Sequence, residues 1–142
     1  MTQFRALIAG LVAVILVASV PVSAEDWDDF TSEAFAAEWQ DFSPEAFAAA
    51  QQEGRPILID VTAAWCSTCR AQHEILDQLA KEPKYRDLVV FKVDFDNQKD
   101  AVRALNAQRQ STLIVFKGGK ELDRSVGDTS QLSIEGLLDK TL

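Results

Sequence analysis

The stretch that decides the fold reads Pro56-Ile57-Leu58-Ile59-Asp60-Val61-Thr62-Ala63-Ala64-Trp65-Cys66-Ser67-Thr68-Cys69-Arg70. Its first seven residues form an apolar run of strand length, and the cysteines stand where that strand gives way to a helix. The helix, predicted over 66–81, places Cys69, Leu76, Leu79 and Ala80 on one face until Glu82-Pro83 stops it. Cys66 and Cys69 are the only cysteines in the chain. A thiolate is the attacking species in thiol–disulfide exchange, and the partial positive charge and free N–H groups at a helix N-terminus favour it. Cys66 is therefore the expected nucleophile. Cys69, one helical turn on, is placed to attack a mixed disulfide on Cys66 and release the substrate.

Two other uses of the pair are open. A structural disulfide closing a ring of about four residues stabilises by only about 2 kcal/mol, against about 3 kcal/mol for a fifteen-residue loop. A structural zinc site needs four ligands, and a lone CxxC supplies two. His73, the only histidine, falls four residues after Cys69 on the same helical face, where it can hydrogen-bond near the pair or act as a third ligand. The redox reading uses the spacing best, and no resident metal or cofactor is expected.

Outward from this stretch, strand and helix alternate. A strand over 88–94 precedes a helix over 98–106, strands over 112–117 and 120–126 flank the turn-forming Gly118-Gly119, and a last helix over 130–140 is predicted to bury Leu132, Leu137 and Leu138. The order βαβαββα predicts an α/β domain over 55–142, with a mixed four-stranded central sheet flanked by helices. Upstream, Phe30-Thr31-Ser32-Glu33-Ala34-Phe35-Ala36-Ala37 is echoed by Phe42-Ser43-Pro44-Glu45-Ala46-Phe47-Ala48-Ala49. Both copies read as helix starts, with Thr31 and Ser43 as N-caps and Gly54 ending the second helix. Residues 25–54 are thus expected to add two N-terminal helices at the domain edge.

The N-terminus indicates the compartment. Met1 to Arg5 is a short positive region, Ala6 to Val20 is apolar, and Val22-Ser23-Ala24 suits a cleavage site, so 1–24 reads as a secretory signal peptide. The chain carries a net charge of −8, and loss of Arg5 makes it more negative, which disfavours nucleic acid and anionic lipid as partners.

The segment Pro56 to Leu142 resembles the thioredoxin family. The evidence is Trp65 before the CxxC, Asp60 six residues ahead of Cys66, Lys92-Val93-Asp94, and Ser111-Thr112-Leu113-Ile114-Val115-Phe116-Lys117-Gly118-Gly119-Lys120. The stretch Asp60 to Arg70 looks most like the C-terminal, periplasmic thioredoxin-like domain of DsbD-type disulfide reductases. The resemblance implies a thioredoxin fold, with Asp60 as a buried acid that relays a proton as the resolving thiol ionises. It also implies that Trp65 shapes the substrate surface, that Lys92 lies near the acid, and that the residues at 111 and 112 border the substrate groove. The chain departs from the pattern at Ser111, where the family usually carries a cis-proline. A cis bond before a non-proline residue costs about 2.5–4 kcal/mol, so a trans or strained peptide is expected there.

The sequence thus describes a periplasmic, monomeric thiol–disulfide oxidoreductase that reduces protein disulfides and is recharged by a DsbD-type membrane donor. Its catalytic residues are Cys66, Cys69 and Asp60, and Trp65, Ser111 and Thr112 bind substrate. A disulfide oxidase or isomerase is one alternative, and a metal-binding or metal-delivery protein is another.

Overall fold

The computed structural model describes residues 36–142. The elements in order are β1 (Glu38–Asp41), α1 (Pro44–Gln52), β2 (Pro56–Thr62), α2 (Ser67–Leu79), β3 (Val89–Asp94), α3 (Lys99–Ala104), β4 (Thr112–Lys117), β5 (Lys120–Val126) and α4 (Gln131–Leu138). The strands form one mixed sheet in the order β1-β3-β2-β4-β5. β1 and β2 run parallel to β3, while β4 runs antiparallel to both β2 and β5. β2 is therefore the central strand. Buried on both faces, it reads as a continuous apolar run rather than an alternating one.

The pleat of β2 divides the core. Leu58 packs with Leu76, Leu79, Ile134 and Leu138 beneath α2 and α4, whereas Ile57, Ile59 and Val61 pack with Phe42, Phe91, Val102 and Leu105 beneath α1 and α3. Asp60, two residues after Leu58, faces the α2 layer by the same alternation. Its burial there is complete.

The sheet has five strands where the sequence predicts four. The fifth is β1, in the segment read as N-terminal helix. It is only four residues long, with exposed ends and no apolar alternation, and pairing to β3 holds it. Its flanks are pinned by Ala37 N–H to Ala80 O (2.8 Å) and Phe42 N–H to Lys92 O (2.9 Å). The segment 25–54, expected as an extension, thus contributes β1 and α1 to the sheet unit itself over its described part. The first expected helix falls mostly on residues outside the described ones, as does the signal peptide at 1–24, and Ala36-Ala37 are not helical. The second forms as predicted: Ser43 Oγ accepts from Ala46 N–H at 3.1 Å, Phe42 stacks on Phe47, and Gly54 leaves the helix at φ +71°.

One core prediction fails. Leu132 is 81% exposed, and α4 instead buries Ile134, Leu137 and Leu138. These three follow the i, i+3, i+4 spacing of one face, and Leu132, two residues before Ile134, points to the opposite side.

Candidate active site

The β2–α2 junction delivers the cysteine pair. Cys66 is the N-cap of α2 (φ −84°, ψ 109°), and its Sγ accepts a hydrogen bond from Cys69 N–H at 3.0 Å. The two sulfurs are joined as a disulfide with Cα atoms 5.3 Å apart. Both cysteines are almost fully buried, while the neighbouring Trp65 is 62% exposed, its indole N–H donating to Asp96 Oδ2 at 2.7 Å. Trp65 is therefore a fixed apolar surface beside the disulfide, not a core aromatic.

Ser111, just before β4, closes the site from the other side. Among the described residues no peptide bond is cis, so the Ser111 peptide is trans, and the residue takes φ +58°. Left-handed backbone is costly for a non-glycine residue and persists only where the surroundings hold it. Here Gly127 N–H donates to Ser111 O at 2.8 Å, and Gln72 Nε2 donates to the same oxygen at 3.4 Å and to Asp128 O at 2.9 Å. The result brings Ser111 Oγ to 3.1 Å from Cys66 Sγ and 3.3 Å from Cys69 Sγ. Thr112 is buried, with its hydroxyl donated to Arg109 O at 2.7 Å and its backbone in register with Val61 on β2 and Val126 on β5.

Asp60 lies under α2, and His73 Nε2 is 2.6 Å from its Oδ2. His73 stands one turn beyond Cys69 on the same face. Its imidazolium is held above the usual histidine range by the hydrogen bond to Asp60, an effect that desolvation opposes. Lys92 is in register with Asp60 on β3 and lies on the same side of the sheet. A cavity of about 340 Å³ opens here, its lining including Cys69, Arg70, His73, Lys92 and Asp94. Cys66 and Cys69 thus meet Ser111 at one locus with Trp65 beside it, and Asp60 is linked to that locus through His73, one turn beyond Cys69. Two contributors were not read as such from sequence. His73 is the partner of the acid, and Gln72, fully buried on α2, anchors the Ser111 carbonyl. A polar residue interrupting the apolar stripe Cys69–Leu76–Leu79 was the available signal for Gln72.

The thioredoxin family profile matches residues 38–140, the whole of the sheet unit just described. The chain belongs to the thioredoxin family. It has in place the CxxC pair of a thiol–disulfide oxidoreductase. It is similar to the thioredoxin of Chlamydia trachomatis, at 36% identity over 84 residues that cover 59% of this chain and 80% of that protein. It also resembles the H-type thioredoxin of Fagopyrum esculentum, at 36% identity over 52% of this chain and 62% of that one. Against the chloroplastic thioredoxin M4 of Arabidopsis thaliana the match spans 45% of the relative's length, so the chain covers less than two thirds of these plant relatives. Among solved structures, Trxlp from Edwardsiella tarda superposes with a TM-score of 0.70 at 42% identity, covering 71% of this chain and 98% of that one.

Within this thioredoxin-family framework the arrangement supports dithiol chemistry at one spot. Cys66 Sγ lies at the positive end of α2 with a backbone N–H and a hydroxyl on it, which are groups that stabilise sulfur-centred charge. Cys69 sits deeper, against the cavity lined by His73, the partner of the buried Asp60.

Proposed function

We propose that this chain is an exported thioredoxin-type oxidoreductase that reduces disulfides in client proteins of the periplasm and is itself re-reduced by a membrane donor of the DsbD type. The observation that carries the activity is the position of Cys66, which caps α2 and accepts the Cys69 N–H at 3.0 Å. The leader-like residues 1–24 and the likeness of Asp60–Arg70 to DsbD-type domains support the compartment and the donor.

In the reducing direction, the Cys66 thiolate attacks one sulfur of the client disulfide. The client S–S bond breaks, a Cys66–client disulfide forms, and the other client sulfur leaves as a thiolate that takes a proton. Cys69 then gives up its proton, with Asp60 as the relay, and attacks Cys66 Sγ. The Cys66–Cys69 disulfide forms and the second client thiolate is released. Two electrons have passed from the pair to the client. Trp65, exposed beside Cys66, docks the client chain, and the segment at Ser111 and Thr112 closes the other side of the substrate groove.

The test is turnover of insulin disulfides by the purified chain with a chemical reductant, together with the potential of the pair in glutathione buffers. Insulin reduction abolished in Cys66→Ser and a potential near those of thioredoxins are the expected results. A potential as high as that of strong oxidases would transfer the assignment to disulfide formation. Metal delivery has less support, since His73, the candidate third ligand, is engaged by Asp60.

A further inference from the structure

We infer that the Ser111 hydroxyl is a catalytic hydrogen-bond donor that stabilises sulfur charge in the reduced pair, first on Cys66 and then on Cys69. The inference rests on the reading of Cys66 as nucleophile. Neither sulfur of the disulfide bears a proton, so at 3.1 and 3.3 Å the Ser111 O–H is the donor to both. Among the described residues, the polar groups in hydrogen-bond contact with Cys66 Sγ are this hydroxyl and the Cys69 N–H.

The backbone shows that the placement is enforced. Ser111 occupies φ +58°, a conformation that a serine adopts only under constraint, and its carbonyl is clamped by Gly127 N–H and Gln72 Nε2. Residue 111 is 4% exposed, so the hydroxyl has no competing solvent partner. A proline at this position offers no donor. In the reduced protein the hydroxyl donates to the Cys66 thiolate, the acceptor that gains most from a charge-assisted bond. When Cys66 enters the mixed disulfide its charge is gone. The same hydroxyl is then within reach of Cys69 as that sulfur becomes the attacking thiolate. Ser111 makes and breaks no covalent bond, and its proton stays on Oγ throughout.

The experiment compares Ser111→Ala and Ser111→Gly with wild type in the full, reduced chain. It measures the rate of Cys66 alkylation by iodoacetamide at neutral pH and the pH midpoint of thiolate absorbance. Both variants lose the hydroxyl, but glycine relaxes the left-handed backbone and alanine does not, so a shared effect belongs to the hydroxyl. The other charges around the pair are unchanged in both: Asp41, Arg70, His73, Lys92 and Asp94 lining the cavity on the Cys69 side, Asp60 behind His73, and Asp96 at Trp65. The expected result is a midpoint about one pH unit higher in both variants, the size of a lost hydrogen bond to a charged group, with alkylation at neutral pH slowed about two- to threefold, because the smaller thiolate fraction is partly offset by the greater nucleophilicity of the more basic thiolate. An unchanged midpoint in both, or a shift in alanine that glycine abolishes, overturns the inference. If wild-type Cys66 itself is no more reactive than a free cysteine, the reading of the pair fails instead, and the two failures are distinct.

Discussion

Replacing His73 by leucine tests whether Asp60 and His73 form a charged pair. Asp60 is fully buried, and its Oδ1 has no hydrogen-bond partner among the described residues, so the 2.6 Å contact from His73 to Oδ2 is the interaction that compensates its burial. Removing one member of a buried pair costs about 3–5 kcal/mol, mostly because the other is left uncompensated. The His73 side chain is 31% exposed, which lets water reach the site and puts the expected loss at the low end, about 3 kcal/mol. That is a large share of the roughly 5–15 kcal/mol that holds a domain folded, yet it leaves the protein native. Asp60→Asn removes the charge but keeps an amide that can donate to neutral His73, so its cost should be under about 1 kcal/mol, and the double variant should fall close to it.

The pH dependence fixes the sign. The Asp60 hydrogen bond raises the His73 pKa above its unfolded value of 6.5. The associated stability is therefore fully present below that value and lost as pH rises through the folded one. Denaturant unfolding of the oxidised wild type and Asp60→Asn, in which His73 has lost its carboxylate partner, should show the widest gap near about pH 5.5 and a narrower one near about pH 9.5. A gap that stays constant across this range, or a double-mutant coupling near zero, would mean that His73 is a neutral, merely packed side chain.

Two other outcomes follow from the geometry and a third from the N-terminal sequence. Cys69→Ser should accumulate mixed disulfides with client proteins while Cys66→Ser traps none; trapping by both, seen on non-reducing gels, contradicts the assigned roles. Ser111→Pro should destabilise by more than about 1 kcal/mol, because the proline ring holds φ near −65° where the chain needs +58°, and its unfolding midpoint should fall with unchanged slope. Mass spectrometry of the protein from the native envelope should find a chain beginning at Glu25; a dominant membrane species that retains Met1 to Ala24 refutes export by cleavage.

What the sequence discloses here follows from how locally each feature is determined. β2 and the start of α2 are legible because a doubly buried central strand is apolar throughout and a helix N-terminus carries its own capping signals. β4 and β5 were legible for a similar reason, since Gly118-Gly119 encodes the turn between them. β1 was not, because an edge strand of four residues is held by backbone pairing to β3, and Glu38-Trp39-Gln40-Asp41 has no period of its own. Leu132 was misplaced because hydrophobicity alone cannot say which side of a short helix meets the sheet. At the site, the spacing from Cys69 put His73 on the right face, but its pairing with Asp60 spans two layers and needs the sheet register. Ser111 was visible as a departure from the family pattern. The direction of its hydroxyl was not, since it depends on a backbone conformation that serine seldom takes.

The donors gathered on Cys66 affect the potential of the couple as well as its rate. A hydrogen bond that favours the thiolate lowers the free energy of the reduced pair and makes the couple more oxidising wherever the working pH keeps Cys66 ionised. A tenfold effect on this equilibrium corresponds to about 30 mV. Ser111 therefore pushes the chain away from reducing behaviour, and a reductase must offset it. Burial is one such offset, since Cys66 and Cys69 are 3% and 1% exposed and desolvation penalises a thiolate. Removing the Ser111 hydroxyl leaves this offset in place, so Ser111→Ala should be the more reducing protein, by about 30 mV if a tenfold stabilisation is lost. The potential is read in glutathione buffers. A Ser111→Ala couple more oxidising than wild type would show that the hydroxyl favours the disulfide over the thiolate, and the account of this site as one tuned through its reduced state would fall.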